Sequence, residues 1–498
     1  MAKQGEKKEE IGITSSKEKD FSEWYTQVIQ KAGIIEKRIP DSKGFYGYPS
    51  WGALILRKIE RIFEDELEKT GHLPVRSPMA IPETLLKLEE KHAGFAVEGW
   101  KITEGRGGQK LEIPKILRPT GETILYSMYK FWIRSYKDLP LKKYETTPSF
   151  RAEPDKAIFP LLRSHQFYWI EAHDVQKSNE EADKQVKEDM GIFEKVMKKL
   201  SLPFCLFKRP EWDKFLGADY TCAYDTPLPD HNVLQICTTH NLGQNFSKPF
   251  EIKFKDNDGK EKNAYQTCFG PGTSRIVGAL VSIHGDDKGL VLPPAIAPIQ
   301  AVIIPISINS DIEKAKLKKI TEAIEKEGII VKLDDREEYT PGWKFHEWEM
   351  LGVPVRIEVG PKELKEKNLT IARRDGGKKV VSEENAAKEI NKIFEEMTKN
   401  LYDKAKMFLT VDSAKNLKEI EEKQKKGVCI LEIPFCDKEN CIEKLKERNT
   451  KVRGVLLFQN KEKSVEECEN NAAKKAKGKG CAVCGKPASR IVFIAKQY

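Results

Sequence analysis

Apolar residues recur at helical spacing across residues 51–70. Leu54, Ile55, Ile59, Ile62, Phe63 and Leu67 fall on one stripe there, and Gly71 supplies a stop. The following HLPVRSPMAIP, broken by three prolines, reads as an extended piece. A long helix feeding a Pro-bearing strand suits a dimer edge, and an ordinary buried helix and loop fits the same residues. Between 116 and 295 the runs YETTPSFRAE, FYWIEAHDV, LQICTTHNL and IKFKDNDGKEKNAYQTCF predict strands, with DNDG as a hairpin turn. One long helix is predicted over 178–200. Together these imply an antiparallel sheet with helices on one side. LVLPPAIAPIQ marks a boundary at 290–300. Beyond it, AVIIPI, GIIVKLDD, PVRIEVG and LTIARR alternate with helical stretches near 311–327, at GWKFHEWEMLG and from about Ser382. That alternation predicts a small α/β domain. From about residue 405 the chain is rich in Lys and Glu and carries a cysteine cluster.

At 498 residues the chain has room for two to four domains. Charged residues make up 33% and hydrophobic ones 39%, as in a soluble globular protein with real cores. The net charge of +9 permits a nucleic-acid partner without demanding one. No apolar run is long enough for a membrane span. The opening MAKQGEKKEEIGITSSKEKD lacks an apolar region of the secretory kind, so a cytoplasmic location is expected. Residues 1–20 read as a flexible solvated tail, or as a weak basic arm for RNA. Cys205, Cys222, Cys237 and Cys268 sit in apolar or mixed segments and read as buried reduced thiols.

Neither a G-x-x-x-x-G-K-[ST] loop nor a G-x-G-x-x-G turn occurs, so any nucleotide phosphates must be held by side chains. Arginine suits that task, because its planar fork matches phosphate oxygens and stays charged. SFRAEP spaces Arg151 and Glu153 two apart, on one face if the segment is a strand. They could grip an α-phosphate and an amino group, or be a surface ion pair. GPGTSRIVGAL places Arg275 at a Gly-rich strand-to-helix turn, which also suits an arginine with no role. Cys436 and Cys441 form one close pair and Cys481 and Cys484 another, with Gly485 easing the second turn. Four thiolates at these spacings predict a closed structural zinc site without catalytic chemistry. Cys429 and Cys468 are left free.

RPTGETILY, SFRAEPD, LLRSHQFYWIEAHD, CTTHNLGQNFS, GTSRIVG and IHGDDKGLVLPP, in this order and followed by DDREEYTPGWKFHEWEMLGVPVRIEVGP, resemble the prolyl-tRNA synthetases of archaeal and eukaryotic type, which are class II enzymes. The resemblance runs from about residue 20 to the end. It implies an α+β fold: a class II catalytic domain built on an antiparallel sheet (21–297), an α/β anticodon-binding domain (298–402) and a small α+β zinc-binding domain (403–498). Residues 74–82 resemble motif 1, the homodimer element; Arg151 and Glu153 motif 2; Arg275 motif 3.

By that resemblance Thr120 and Glu122 bind proline's ammonium, and Phe95, Trp169, His173 and His240 wall its ring. Arg151 holds the proline carboxylate and the α-phosphate, and Glu153 accepts from the adenine or holds the ATP in position. Phe167 and Arg275 sandwich the adenine. Arg163, Ser164, Gln235, Thr238 and Thr273 are further ATP contacts, Gln235 also reaching Mg2+. Proline would be activated by ATP and passed to tRNA(Pro), with no protein nucleophile and no DNA or membrane partner. The stretch between motifs 2 and 3 is too short for an editing insertion. Arg336, Lys344 and Glu349 fall in the part that resembles the anticodon-facing segment, and the final tyrosine is implied to pack back toward the catalytic domain. The chain departs from the pattern at CFGPGTSR, where S-W-G-x-[ST]-T-R is commoner, at Cys237 in place of glycine, and at His165-Gln166 in place of Arg-Glu. RPTGET and the lack of a zinc-ligand set in this chain's catalytic core disfavour a threonyl enzyme. A catalytically inactive synthetase-like factor binding tRNA or protein is the alternative from another class, and the retention of Arg151, Arg163 and Arg275 weighs against it.

Overall fold

A computed structural model describes residues 12–87, 99–457 and 464–498. The first long helix runs Ser50–Glu68 and buries Ile55, Leu56, Ile59, Phe63 and Leu67, close to the stripe read from the sequence. Gly71 follows at φ +86°, a left-handed turn that suits glycine. The chain then enters a short strand, Leu73–Pro74, parallel to Leu141–Phe150.

Leu73–Pro74 is one edge of an eleven-stranded sheet. The order continues through Leu141–Phe150, Gln166–Gln176, Tyr265–Pro271, Val233–Gly243, Tyr220–Pro227 and Cys205–Lys208, all antiparallel. Helices Phe21–Lys31, Ser50–Glu68, Asn179–Lys199 and Thr273–His284 contribute to the main core, together with the apolar side chains of one sheet face. Ser178 caps the Asn179–Lys199 helix, which lies where a long helix is expected. Asp256 to Gly259 closes the hairpin of Lys253–Lys255 with Glu261–Asn263. All residues from Gln166 to Pro271 are used by this helix, these strands and their turns.

The sheet does not stop at Cys205–Lys208. It continues through Thr450–Leu456, Arg490–Lys496, Ile430–Phe435 and Val411–Ser413. The C-terminal segment, expected as a separate small domain, is thus joined edge to edge with the first sheet, Val455 facing Lys208 and Leu456 facing Phe207. Gly454, at φ +116°, makes the approach possible: a Cβ there would lie 1.8 Å from the Lys208 carbonyl oxygen.

Residues 301–406 form the α/β unit. Its sheet runs Val331–Leu333, Ala301–Pro305, Val355–Val359, Asn368–Arg373, Lys378–Ser382, parallel over the first three strands and antiparallel over the rest. Helices Asp311–Lys326 and Ala386–Lys406 cover its core. The expectation of a flexible tail fails for residues 12–20. Lys17 Nζ donates to the Ile283 and Gly285 carbonyls at 3.0 and 2.6 Å, and Thr14 bonds Gln27. The carbonyls left over at the end of the Thr273–His284 helix hold the lysine down. Among the described residues no helix is long and apolar enough to cross a membrane.

Candidate active site

Three strands meet side by side to build the site. In register, Cys268 of Tyr265–Pro271 faces His173 on one neighbour and His240 on the other. Alternation along Gln166–Gln176 puts Phe167, Trp169, Glu171 and His173 on the same face. The helix Glu122–Trp132 delivers Glu122 from its first turn. Glu122 accepts from the Thr120 hydroxyl and, at 3.3 Å, from the Cys268 thiol. Glu171 accepts the Gly121 N–H at 2.7 Å, and a Cβ on residue 121 would stand 3.0 Å from that carboxylate. This close approach is why RPTGET carries glycine there.

Burial alone would neutralise these groups. For His173 burial pulls the pKa down, but Glu122 and Glu171 outweigh it and hold it above the ordinary imidazole value. For Glu122 burial pushes up, while His173 and the Thr120 hydroxyl win and hold it low. Each group thus favours the charged form of the other. His240 differs: burial takes it down to about 4, so it is neutral, bonded to the Thr221 and Thr238 hydroxyls at 2.8 and 3.0 Å. Beneath the pocket lies Arg118, fully buried, donating to Glu145 at 2.9 Å and Thr147 at 2.8 Å. Its Nη2 is 3.9 Å from Glu171, whose Oε1 has no hydrogen-bond partner.

The second half of the site is arginine-rich. Arg151 and Glu153 are not on a strand, which corrects the same-face reading. Leu141–Phe150 ends one residue earlier, and both lie in the loop that turns back to Gln166. The loop carries Arg151 over Phe167 and Trp169, 5.0 and 5.7 Å from the ring centroids. The cation above Phe167 in this structure is thus Arg151. Glu153 accepts from Arg163 Nε at 2.7 Å. Arg275, in the first turn of Thr273–His284, donates to the carbonyls of Leu162 and Gln235 at 2.9 and 3.0 Å. Burial, then the Arg151 charge, bring its pKa down to about 10, still charged at neutrality. Thr273 is buried with its hydroxyl 3.5 Å from Glu60, a carboxyl that burial and Glu64 lift to about 7. Ser164 Oγ is buried without a partner. Gln235 gives its side-chain oxygen to Arg209 Nη2 at 2.7 Å. Phe95 lies outside the described residues. Sequence reasoning missed Arg118, Glu171, Cys268, Glu60 and Arg209 as parts of the site. Only Glu171 had a local signal, the strand alternation two residues before His173.

The four cysteines come together. Cys436 Sγ is 3.5 Å from Cys441 Sγ and 3.8 Å from Cys484 Sγ, and all four sulfurs lie within 4.8 Å of one another. Sulfurs at about 2.3 Å from a tetrahedral zinc are about 3.8 Å apart, so the donor set fits that ion. The Lys486 N–H draws the Cys484 thiol down to about 7. In the α/β unit, Lys344 is buried with Nζ on the Asp334 carbonyl at 3.0 Å, and Arg336 clasps Asp334 and Glu347. Glu349 accepts from Arg356 at 3.3 Å. Of this segment, the aromatic pair Tyr339–Trp343, stacked 3.9 Å apart beneath Arg336, remains partly exposed.

Residues 103–284 match the model of the tRNA synthetase class II core domain (G, H, P, S and T), and residues 300–393 match that of the anticodon binding domain. A proline–tRNA ligase of Thermofilum pendens is 45% identical over 98% of this chain and 100% of its own length. One from Pyrococcus abyssi is 40% identical over 96% and 98%. The chain belongs to the proline–tRNA ligase family. The crystal structure of prolyl-tRNA synthetase from Cryptosporidium parvum, complexed with halofuginone and AMPPNP, superposes with a TM-score of 0.88 at 31% identity, covering 98% of this chain and 97% of that one. As a proline–tRNA ligase the chain is a class II enzyme that activates proline with ATP and joins it to tRNA(Pro). The non-catalytic alternative finds no support among these relatives.

Proposed function

We propose that proline occupies the space beside the His173–Cys268–His240 row, with its ammonium on Glu122 and Thr120. The observation that carries this is the placement of Glu122, buried and accepting from the Thr120 hydroxyl and the Cys268 thiol beside that row, with its carboxyl held low by His173. A buried carboxylate needs a cationic partner, and an incoming secondary ammonium supplies a second one. Neutral His240 and Trp169 act as walls rather than bases. The proline carboxylate then faces Arg151, in line with the ATP α-phosphate. Attack forms the carboxyl–phosphate bond, and pyrophosphate leaves as the α–β bond breaks. Arg151, Arg163 and Arg275 offset the charge that builds in transit, so catalysis is positioning plus electrostatics. Phe167 offers a face for adenine, and Glu153, Ser164, Thr238 and Thr273 surround the nucleotide. Transfer follows when a terminal ribose hydroxyl of tRNA(Pro) attacks the adenylate carbonyl and AMP leaves.

Mg2+, which takes oxygen ligands and keeps several waters, would draw on the Gln235 amide oxygen, and neutralises phosphate charge when bound. Cys436, Cys441, Cys481 and Cys484 would hold zinc as a closed folding element. The stacked Tyr339–Trp343 pair supports an RNA-facing role for the α/β unit. The motif 1 segment 74–82, with Leu73 left 57% exposed beside it, supports a homodimer edge. With no inserted domain between Gln166 and Pro271, no editing of misactivated small amino acids is expected in cis. Action in the cytoplasm fits the tRNA substrate. The test is ATP–pyrophosphate exchange with proline, and with threonine as control. Exchange driven by proline alone is the expected result; none with proline would sink the reading.

A further inference from the structure

The nucleotide side of the site is wired to the C-terminal unit through a buried chain of charge. Arg453, on strand Thr450–Leu456, sends Nε and Nη2 to the two oxygens of Asp225 at 2.7 and 2.8 Å. Asp225 Oδ1 also accepts from Arg209 Nη2 at 2.9 Å, and Arg209 Nη1 returns to the Arg453 carbonyl at 2.8 Å. The same Nη2 reaches Gln235 Oε1 at 2.7 Å. Exposure is 2% for Arg209, 0% for Asp225 and 1% for Arg453. One carboxylate stands between two guanidiniums, and the other acid near Arg209 is the half-exposed Asp213 at 3.9 Å. Such a triad is an expensive way to hold a fold, since apolar residues of similar size often stabilise as well or better. Its geometric output is therefore the more informative feature.

That output is the amide of Gln235. Strands Tyr220–Pro227 and Val233–Gly243 pair Tyr224 with Cys237 and then Asp225 with Gln235, so Ile236 is an extra residue. The bulge turns Gln235 onto the side of Asp225 and Arg209. Arg209 has only donors, so the Gln235 atom facing it is the oxygen and the amide cannot be flipped. The Gln235 carbonyl is held separately by Arg275. Residues 497 and 498 hold the same region: Gln497 accepts from Arg453 Nη1, the Tyr498 N–H donates at 3.3 Å to the carbonyl of Val233 at the start of the Gln235 strand, and the Tyr498 hydroxyl donates to Asp230.

We propose that Arg453 is a positioning residue for the nucleotide half of the reaction, setting the Gln235 amide through Asp225 and Arg209. The proposal rests on the reading of Gln235 as an ATP contact. It assigns the C-terminal unit a part in adenylation that its cysteines alone do not imply.

The experiment is ATP–pyrophosphate exchange on the full chain with R453K, Q235A and the double variant, each checked for cooperative thermal unfolding. Lysine keeps the charge but can make only one of the two bonds to Asp225. R453K is expected to raise the KM for ATP about tenfold, leave the KM for proline within about twofold, and add nothing to Q235A in the double variant. Q497A removes only the outer partner of Arg453 and should move the KM for ATP in the same direction, less far; it serves if R453K does not fold. An unchanged KM for ATP in R453K beside an impaired Q235A overturns the proposal. So does a fall in kcat alone, which marks lost folded enzyme. An unchanged KM for ATP in Q235A refutes instead the reading of Gln235 as a nucleotide contact.

Discussion

Two clusters of reactive side chains in this molecule are built in opposite ways. The cysteine cluster draws its members from two short segments, Cys436 with Cys441 of the Glu439–Lys446 helix and Cys481 with Cys484, each giving a local pair. The pocket draws Thr120 and Glu122, Glu171 and His173, His240, and Cys268 from four separate segments. Strand register aligns His173, Cys268 and His240, and the first turn of the Glu122–Trp132 helix adds Glu122. The thiols make one kind of contact and suit one ion. The pocket mixes a mutually stabilised Glu122–His173 pair, a neutral histidine and a carboxylate oxygen with no partner. A closed structural site can be encoded locally. A site that must admit and release a substrate is encoded by the whole sheet.

Removing a thiolate should break the comparison most visibly. Zinc binding to such sets carries on the order of 10 kcal/mol that is coupled to folding. C481S is expected to lose bound metal, read by elemental analysis, and to lower the unfolding midpoint by many degrees. The next effect is chemical. R151A should cut proline-dependent exchange by about 100- to 1,000-fold with metal content unchanged, while E122Q should act mainly through the KM for proline. Comparable exchange in R151A and parent would defeat the role given to Arg151.

A third test uses the buried neutral histidine. The folded pKa of His240 is depressed from 6.5 to about 4, so the unfolded chain binds the extra proton between those values. Its contribution to stability is complete above pH 6.5 and is lost as pH falls toward 4, by about 3 kcal/mol. His173 has the opposite sign, its contribution being complete below pH 6.5 and lost as pH rises through its raised folded pKa. Comparing parent with H240Q in urea titrations at pH 7 and 4.5 isolates the first term; equal losses in both would refute it. The smallest expected effect lies far from either cluster. Ser310 and Glu313 form a capping box on the Asp311–Lys326 helix, and S310A should cost about 1 kcal/mol with exchange unaltered.

The same contrast explains what was legible in the chain. Local signals served well: Gly71 after the first long helix, the long helix over 178–200, the DNDG turn, and both cysteine pairs. So did the strand and helix order of residues 301–406. Readings that depended on tertiary placement did not all survive. Arg151 and Glu153 looked like strand neighbours, but the strand ends at Phe150. Lys344 looked available to RNA, yet it is buried on the Asp334 carbonyl. Gln235 owes its direction to a bulge at Ile236 that leaves no mark in the sequence. The joining of Val455 to Lys208 pairs residues far apart along the chain, which no window of sequence contains.

That joint also sets a timetable. Strand Cys205–Lys208 leaves the ribosome roughly 240 residues before the strand that covers its edge. At 5–20 residues per second the wait is about 12 to 50 s. Through that interval the nascent sheet shows an open row of N–H and C=O groups, a surface to which a neighbouring chain on the same message could add itself. Strand Thr450–Leu456 is thus also the cover that ends this edge's exposure to copies of the chain.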